Sequence, residues 1–205
     1  MRRILGLRSR RGQSLVEFAL ILPILMFLLL GMVEMGFAIS HNVSIQTATR
    51  QGARVGSILV NGDTHCPPGN SALLAATVDP GIIAAVEGAL TSTGSSANMS
   101  QVTLIEIFGL SSNNTTLGTD KFTYSPSTGH FVASGTPGWP AVGRCGAVTG
   151  TLPNGGAPRI GVRITYTYKF LTPLGSFLSL FGTLFNNGQI TMTDQTVMAL
   201  EPPKP

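Results

Sequence analysis

Residues 15–39 read LVEFALILPILMFLLLGMVEMGFAI, twenty-five positions interrupted by two acids only, Glu17 and Glu34. An α-helix rises about 1.5 Å per residue, so roughly 20 residues cross the ~30 Å hydrocarbon core of a bilayer. The stretch is therefore long enough to span with some tilt or with a turn to spare. Pro23 and Gly31 weaken a helix in water but are better tolerated in a membrane, and Pro23 removes one backbone donor at a local kink. No second run of this kind follows. Residues 177–185 (FLSLFGTLF) are too short and too interrupted to span.

Immediately upstream lies a basic tip, with Arg2, Arg3, Arg8, Arg10 and Arg11 in the first twelve residues. Those five account for the net charge of +4, because the other eight basic side chains face nine acidic ones. A nucleic-acid-binding surface needs its positive charge on a folded face. Here the charge sits at one end of an apolar run, and residues 40–49 beyond that run contain no Lys or Arg. The positive-inside rule then predicts a cytoplasmic N-terminus and residues 40–205 outside. A cleaved secretory signal is the competing reading. Its apolar region is usually about 7–15 residues and ends in a small-residue cleavage site, whereas this run is longer and no A-x-A site follows it.

Between tip and span the chain reads Arg10-Arg11-Gly12-Gln13-Ser14-Leu15-Val16-Glu17-Phe18. A carboxylate at the edge of the hydrocarbon costs a few kcal/mol unless it is paired or interfacial, so Glu17 is either a plain interfacial acid or a group with a partner. The glycine that ends the basic leader, the glutamate five residues on and the apolar run resemble the type IV prepilin class. That resemblance implies cleavage by a prepilin peptidase between Gly12 and Gln13. It also implies pairing of Glu17 with the new α-amino group of a neighbouring subunit. More narrowly, Gly12, Val16-Glu17-Phe18-Ala19-Leu20, Leu22-Pro23 and Gly31-Met32-Val33-Glu34 resemble the TadE-like family, minor pilins or pseudopilins of the tight-adherence (Flp pilus) system. Thr47-Ala48-Thr49-Arg50-Gln51-Gly52-Ala53-Arg54 is similar to that family's Ala/Arg-rich helix after the membrane, and residues 190–202 to its closing strand. An arginine often precedes the terminal Glu-Pro in the family; here that position is Leu200. The resemblance covers about the first 55 and last 15 residues.

Glu34 is expected either as an intramembrane or interfacial acid facing the outer headgroups, or in contact with another subunit's helix. Past the bilayer the helix is expected to continue over residues 41–58, with the apolar positions Val43, Ile45, Ala48, Val55 and Ile58 only loosely periodic, and to fray after Arg54 at Gly52 and Gly56. A second helix is expected over residues 71–77 or 80–90, with Asp79-Pro80 as cap and first-turn proline, and it ends at Gly94. Residues 101–108 and 159–168 read as strands, the latter with clean alternation of Ile160, Val162, Ile164, Tyr166 and Tyr168. Residues 189–200 read as a long closing strand and 174–184 as a short helix. Residues 111–158, rich in Gly, Ser, Thr, Asn and Pro, read as a long loop region with a short strand at 121–124.

Cys66 and Cys145 are the only cysteines, and both fall in the outer region, where a disulfide is chemically permitted. They read either as one bridge pinning the loops or as two free thiols. His65 is adjacent to Cys66, where side chains diverge, and His41 and His130 read as exposed, so no Cys–His nucleophile is assembled. Asp63, Asp79 and Asp120 are dispersed, and no metal, phosphate or hydrolase motif occurs. Trp139, in a Pro-rich loop, reads as packing onto the domain rather than as a binding anchor.

The expected fold is α+β, a long N-terminal transmembrane helix continuing into a small extracytoplasmic domain with an antiparallel sheet. The expected organisation is a leader at 1–12, a span at 13–40 and an outer domain at 41–205. The resemblance implies a non-enzymatic component of Flp pilus assembly in the bacterial inner membrane, without catalytic residue, metal or cofactor. Its partners would be other pilin or pseudopilin subunits, the prepilin peptidase, the inner-membrane assembly platform and membrane lipid, and not nucleic acid. The alternative is a membrane-anchored extracytoplasmic binding or sensory domain unrelated to pili.

Overall fold

The computed structural model describes residues 11–59, 71–111, 113–139, 159–172, 175 and 188–200, with backbone alone for 11 and 71–77. Helix α1 runs unbroken over Arg11–Leu59, with Pro23 inside it. At 1.5 Å per residue its 49 residues measure roughly 70 Å. Its two halves live in different surroundings. Over residues 12–29 every side chain is exposed, and the most apolar window is wholly uncovered by the rest of the protein. From Glu34 onward one stripe turns inward.

That stripe is Glu34, His41, Ile45, Ala48, Gly52 and Gly56, flanked by Ser44, Thr49, Ala53 and Ser57. The spacing of three to four keeps one helical face on the core. Most of these residues are small, so α1 approaches its neighbours closely. A Cβ on Gly52 would lie 2.7 Å from Val86 Cγ2, and one on Gly56 2.7 Å from Ile160 Cδ1. The two glycines are therefore contact points, and the expected fraying at Arg54 does not occur. Val43 and Ile58, expected in the apolar face, point outward instead. The buried face is written in small residues, which hydrophobic periodicity does not count.

Helix α2 spans Ser71–Thr91 and contains Pro80. The Asp79-Pro80 pair was expected to open this helix; it lies mid-helix. The proline ring is on the exposed side, while Val78, Ile82, Val86 and Leu90 recur every four residues on the buried side. Packing on α1 carries the helix through one lost hydrogen bond. Gly94, at φ 108°, turns the chain away after it. A short 3₁₀ turn at Met99–Gln101, capped by Asn98, then feeds the sheet.

The sheet has five antiparallel strands: β1 (Val102–Leu110), β2 (Thr116–Ser125), β3 (His130–Ala133), β4 (Arg159–Lys169) and β5 (Gln189–Ala199), in spatial order β3-β2-β1-β4-β5. The α+β architecture with an antiparallel sheet is thus as expected. The helices cover one face, where Ile105, Ile107, Ile160, Val162, Ile164, Tyr166 and Tyr168 form the core with α1 and α2. On the other face Lys121, Glu106, Arg163 and Gln195 form one cross-strand row, with Arg163 donating to Glu106 (3.1 Å) and Gln195 (3.0 Å) and lying over the Phe108 ring. The imperfect alternation in β1 comes from irregular register at Val102/Leu104 and Gly109/Leu110.

Strands β2 and β3 occupy part of the stretch expected as mostly loop; the short strand expected at 121–124 lies within the longer β2. β2 buries only Asp120 and Phe122, so its pairing with β1, rather than its own pattern, makes it a strand. Trp139, 1% exposed, packs against Gly109, and its backbone N–H donates to Asp120 Oδ1 at 3.0 Å. The packing reading of Trp139 holds. The helix expected at 174–184 and the proposed Cys66–Cys145 bridge lie outside the described residues.

Candidate assembly and membrane-anchoring site

Two carboxylates on α1 carry the site, 17 residues apart and so roughly 25 Å along the axis. Glu17 is exposed on the bare half of the helix. Its bond to a described side chain comes from Gln13 Nε2, at 3.1 Å one turn away. Gly12, Gln13 and Glu17 share this end, and no described part of the α+β domain covers them. A charge so placed is open to a partner from outside the chain.

Glu34 is the opposite case. It is 2% exposed, and its carboxylate accepts from the Tyr168 hydroxyl at 2.6 Å, the Leu171 N–H at 2.8 Å and the Thr172 N–H at 3.1 Å. β4 runs antiparallel to α1, with Ile160 beside Gly56 at the top and Tyr168 beside Glu34 at the bottom. The chain leaving β4 turns across the helix there and presents two backbone donors to the carboxylate. Glu34 thus pins the α+β domain to α1, and its oxygens are taken up within the chain. No sequence signal linked positions 34 and 168, because the pairing depends on the strand's direction.

His41 stacks edge-on against Tyr168, with ring centroids 5.0 Å apart. It was expected on the surface; it is 8% exposed, and its Nδ1 is buried without a hydrogen-bond partner. Burial holds its pKa below the ordinary value, partly offset by a bond with Gln101. Burial and the bond to Glu34 push the Tyr168 hydroxyl well above the ordinary tyrosine range, so it stays a donor. Higher up, Thr49 donates to Asp194 Oδ2 at 2.5 Å and accepts from Thr196 at 3.2 Å, tying α1 to β5.

A cleft of about 430 Å³ opens between α2, β2, β3 and residues 134–137. Asp79 and Asp120, 41 positions apart in sequence and expected to be scattered, both line it, together with Glu87, Lys121 and His130. Glu87 is engaged by His130 Nδ1 (2.9 Å) and the Phe131 N–H (2.8 Å), and Asp120 by the Trp139 N–H. These acids hold the cleft's walls together. Among the described residues no three His, Cys, Asp or Glu side chains form a metal-holding group.

Glycine at the described start of the helix, an exposed acid five residues on, a bare apolar half and a small-residue stripe into the head all fall in one segment. Residues 12–54 match the family model described as TadE-like protein. The resemblance seen at this end of the sequence is thereby borne out. The TadE-like segment begins at Gly12 and takes in both Glu17 and Glu34. It ends at Arg54, so it contains the bare half of α1 and most of the packed stripe, and none of the sheet. No curated protein and no solved structure matches the chain.

Proposed function

We propose that this protein is a TadE-like minor pilin or pseudopilin, a non-enzymatic, membrane-anchored component of a tight-adherence (Flp) pilus system. The observation that carries the reading is the contrast between the two acids of α1. Glu34 is satisfied inside the chain by three donors, whereas Glu17 sits bare on the apolar half with Gln13 beside it. An α-amino group freed by cleavage between Gly12 and Gln13, on a neighbouring subunit, would supply the counter-charge that no described residue gives Glu17. An amine and a carboxylate both poorly solvated in lipid attract strongly.

In this reading residues 1–12 are a cytoplasmic leader removed by a prepilin peptidase, and α1 crosses the bacterial inner membrane once with the outer domain beyond it. The partners are other pilin or pseudopilin subunits, the assembly platform and the surrounding lipid. Glu17→Ala is expected to insert normally and to lose co-isolation with the pilus machinery, while Glu17→Asp retains part of it. Undiminished co-isolation of Glu17→Ala would sink the proposed pairing.

The cleft beneath α2 favours weighing one second reading, an anchored extracytoplasmic binding domain. That reading gives Glu17 no role, so the same variant separates the two.

A further inference from the structure

The outward face of α1 stays apolar well past the level at which the outer domain takes hold. Met35, Phe37 and Ile39 are all exposed, although Glu34 is already buried in the head and Leu30 and Gly31, on the turn below it, are partly covered. Five residues from Glu34 to Ile39 correspond to about 7 Å of helix. The lower edge of the head therefore overlaps the apolar stripe of the helix instead of standing clear of it.

What forms that edge is the chain leaving β4. Leu171 donates its N–H to Glu34, and the residue is 67% exposed. Lys169, two residues before, is exposed as well. The Phe170 N–H donates to the Gly188 carbonyl at 2.9 Å, and Gly175 abuts Gly188, so residues 170, 175 and 188 meet at this corner. The sequence between, residues 173–187 (PLGSFLSLFGTLFNN), contains no charge and four leucines and three phenylalanines.

From this we infer that the corner at residues 169–171 is a second membrane contact, with Leu171 seated in the outer-leaflet interface and the Lys169 ammonium at the headgroups. The inference rests on α1 spanning the bilayer. Interfacial segments bury an apolar side about 5–10 Å deep while basic groups stay at the surface, and the overlap along α1 has this size. The occupant is lipid rather than a second copy because the corner lies at the level of Glu34, where the outward face of α1 is still apolar and bare. Two contacts, one spanning and one peripheral, would set the tilt of the head on the membrane.

The test uses the full chain at low protein density in phosphatidylethanolamine/phosphatidylglycerol vesicles with brominated acyl chains, comparing Leu171→Trp and Met26→Trp. Trp139, buried in the head, supplies the common background. Met26→Trp is expected to be quenched by bromines deep in the bilayer. Leu171→Trp is expected to add blue-shifted emission quenched by bromines near the headgroups. Quenching of Met26→Trp without quenching of Leu171→Trp would overturn the corner contact and leave the anchor standing. Failure of Met26→Trp itself would remove the anchor and the inference with it. A Leu171→Trp shift seen only at high protein density would assign the corner to a second copy and overturn the lipid contact.

Discussion

Glu34 and His41 show how one turn of chain can settle the chemistry of a helix. Glu34→Ala removes an acceptor and strands the Tyr168 hydroxyl and two backbone N–H groups. Each buried unsatisfied group costs about 1–3 kcal/mol, and partial rescue by water leaves an expected loss of about 3 kcal/mol. Chemical unfolding of the detergent-solubilised protein measures it, and a Glu34→Ala change within 0.5 kcal/mol of wild type would show that the pin carries no stability. His41 makes stability depend on pH in one direction. Its folded pKa lies below the unfolded value of about 6.5, because burial favours the neutral ring. Its share of stability is therefore complete above that unfolded value and is lost as pH falls below it toward the folded pKa. A thermal midpoint that drops between pH 7.5 and 5.5, and drops less in His41→Phe, is expected; equal drops in both would assign the effect to other groups.

At the scale of elements, α1 packs through what it lacks. Gly→Ala in a helix ordinarily stabilises by up to about 1 kcal/mol. At Gly52 and Gly56 the new methyl meets Val86 and Ile160, so Gly52→Ala and Gly56→Ala are each expected to destabilise by about 1–3 kcal/mol instead. Gly88, with open space around its Cβ position, is the control, and Gly88→Ala is expected to stabilise. A thermal-melt series of the three tests the sign, and stabilisation at all three would remove the close-packing account. The same elements mark what was readable in the sequence. The apolar half of α1 and the alternation of β4 were plain because large side chains report their own burial. The packed stripe of α1 was not, since Gly, Ala, Ser and Thr read as weak helix or linker. Most of β2 and all of β3 were hidden for a related reason: β2 takes its strand character from pairing with β1, and β3 from pairing with β2. The Glu17 end of the site was legible from local spacing. The Glu34–Tyr168 contact, spanning 134 positions, needed the topology.

For the molecule as a whole, one helix serves two environments, and the division falls at a buried acid. Over residues 12–29 α1 is bare on every side; from Glu34 upward one stripe of the same helix packs into an α+β head, while Met35, Phe37 and Ile39 stay exposed on the outward side. This arrangement suits a subunit whose helix both anchors it and packs against other helices, while the head stays fixed on its axis. The proposal that the helix is an assembly element depends on the chain beginning where the resemblance puts it, with the charged amine on Gln13, four residues before the exposed Glu17 carboxylate. N-terminal sequencing of the protein recovered from membranes of cells with an active prepilin peptidase tests this most directly. The account predicts a chain that starts at Gln13, and an intact Met1 terminus would contradict it.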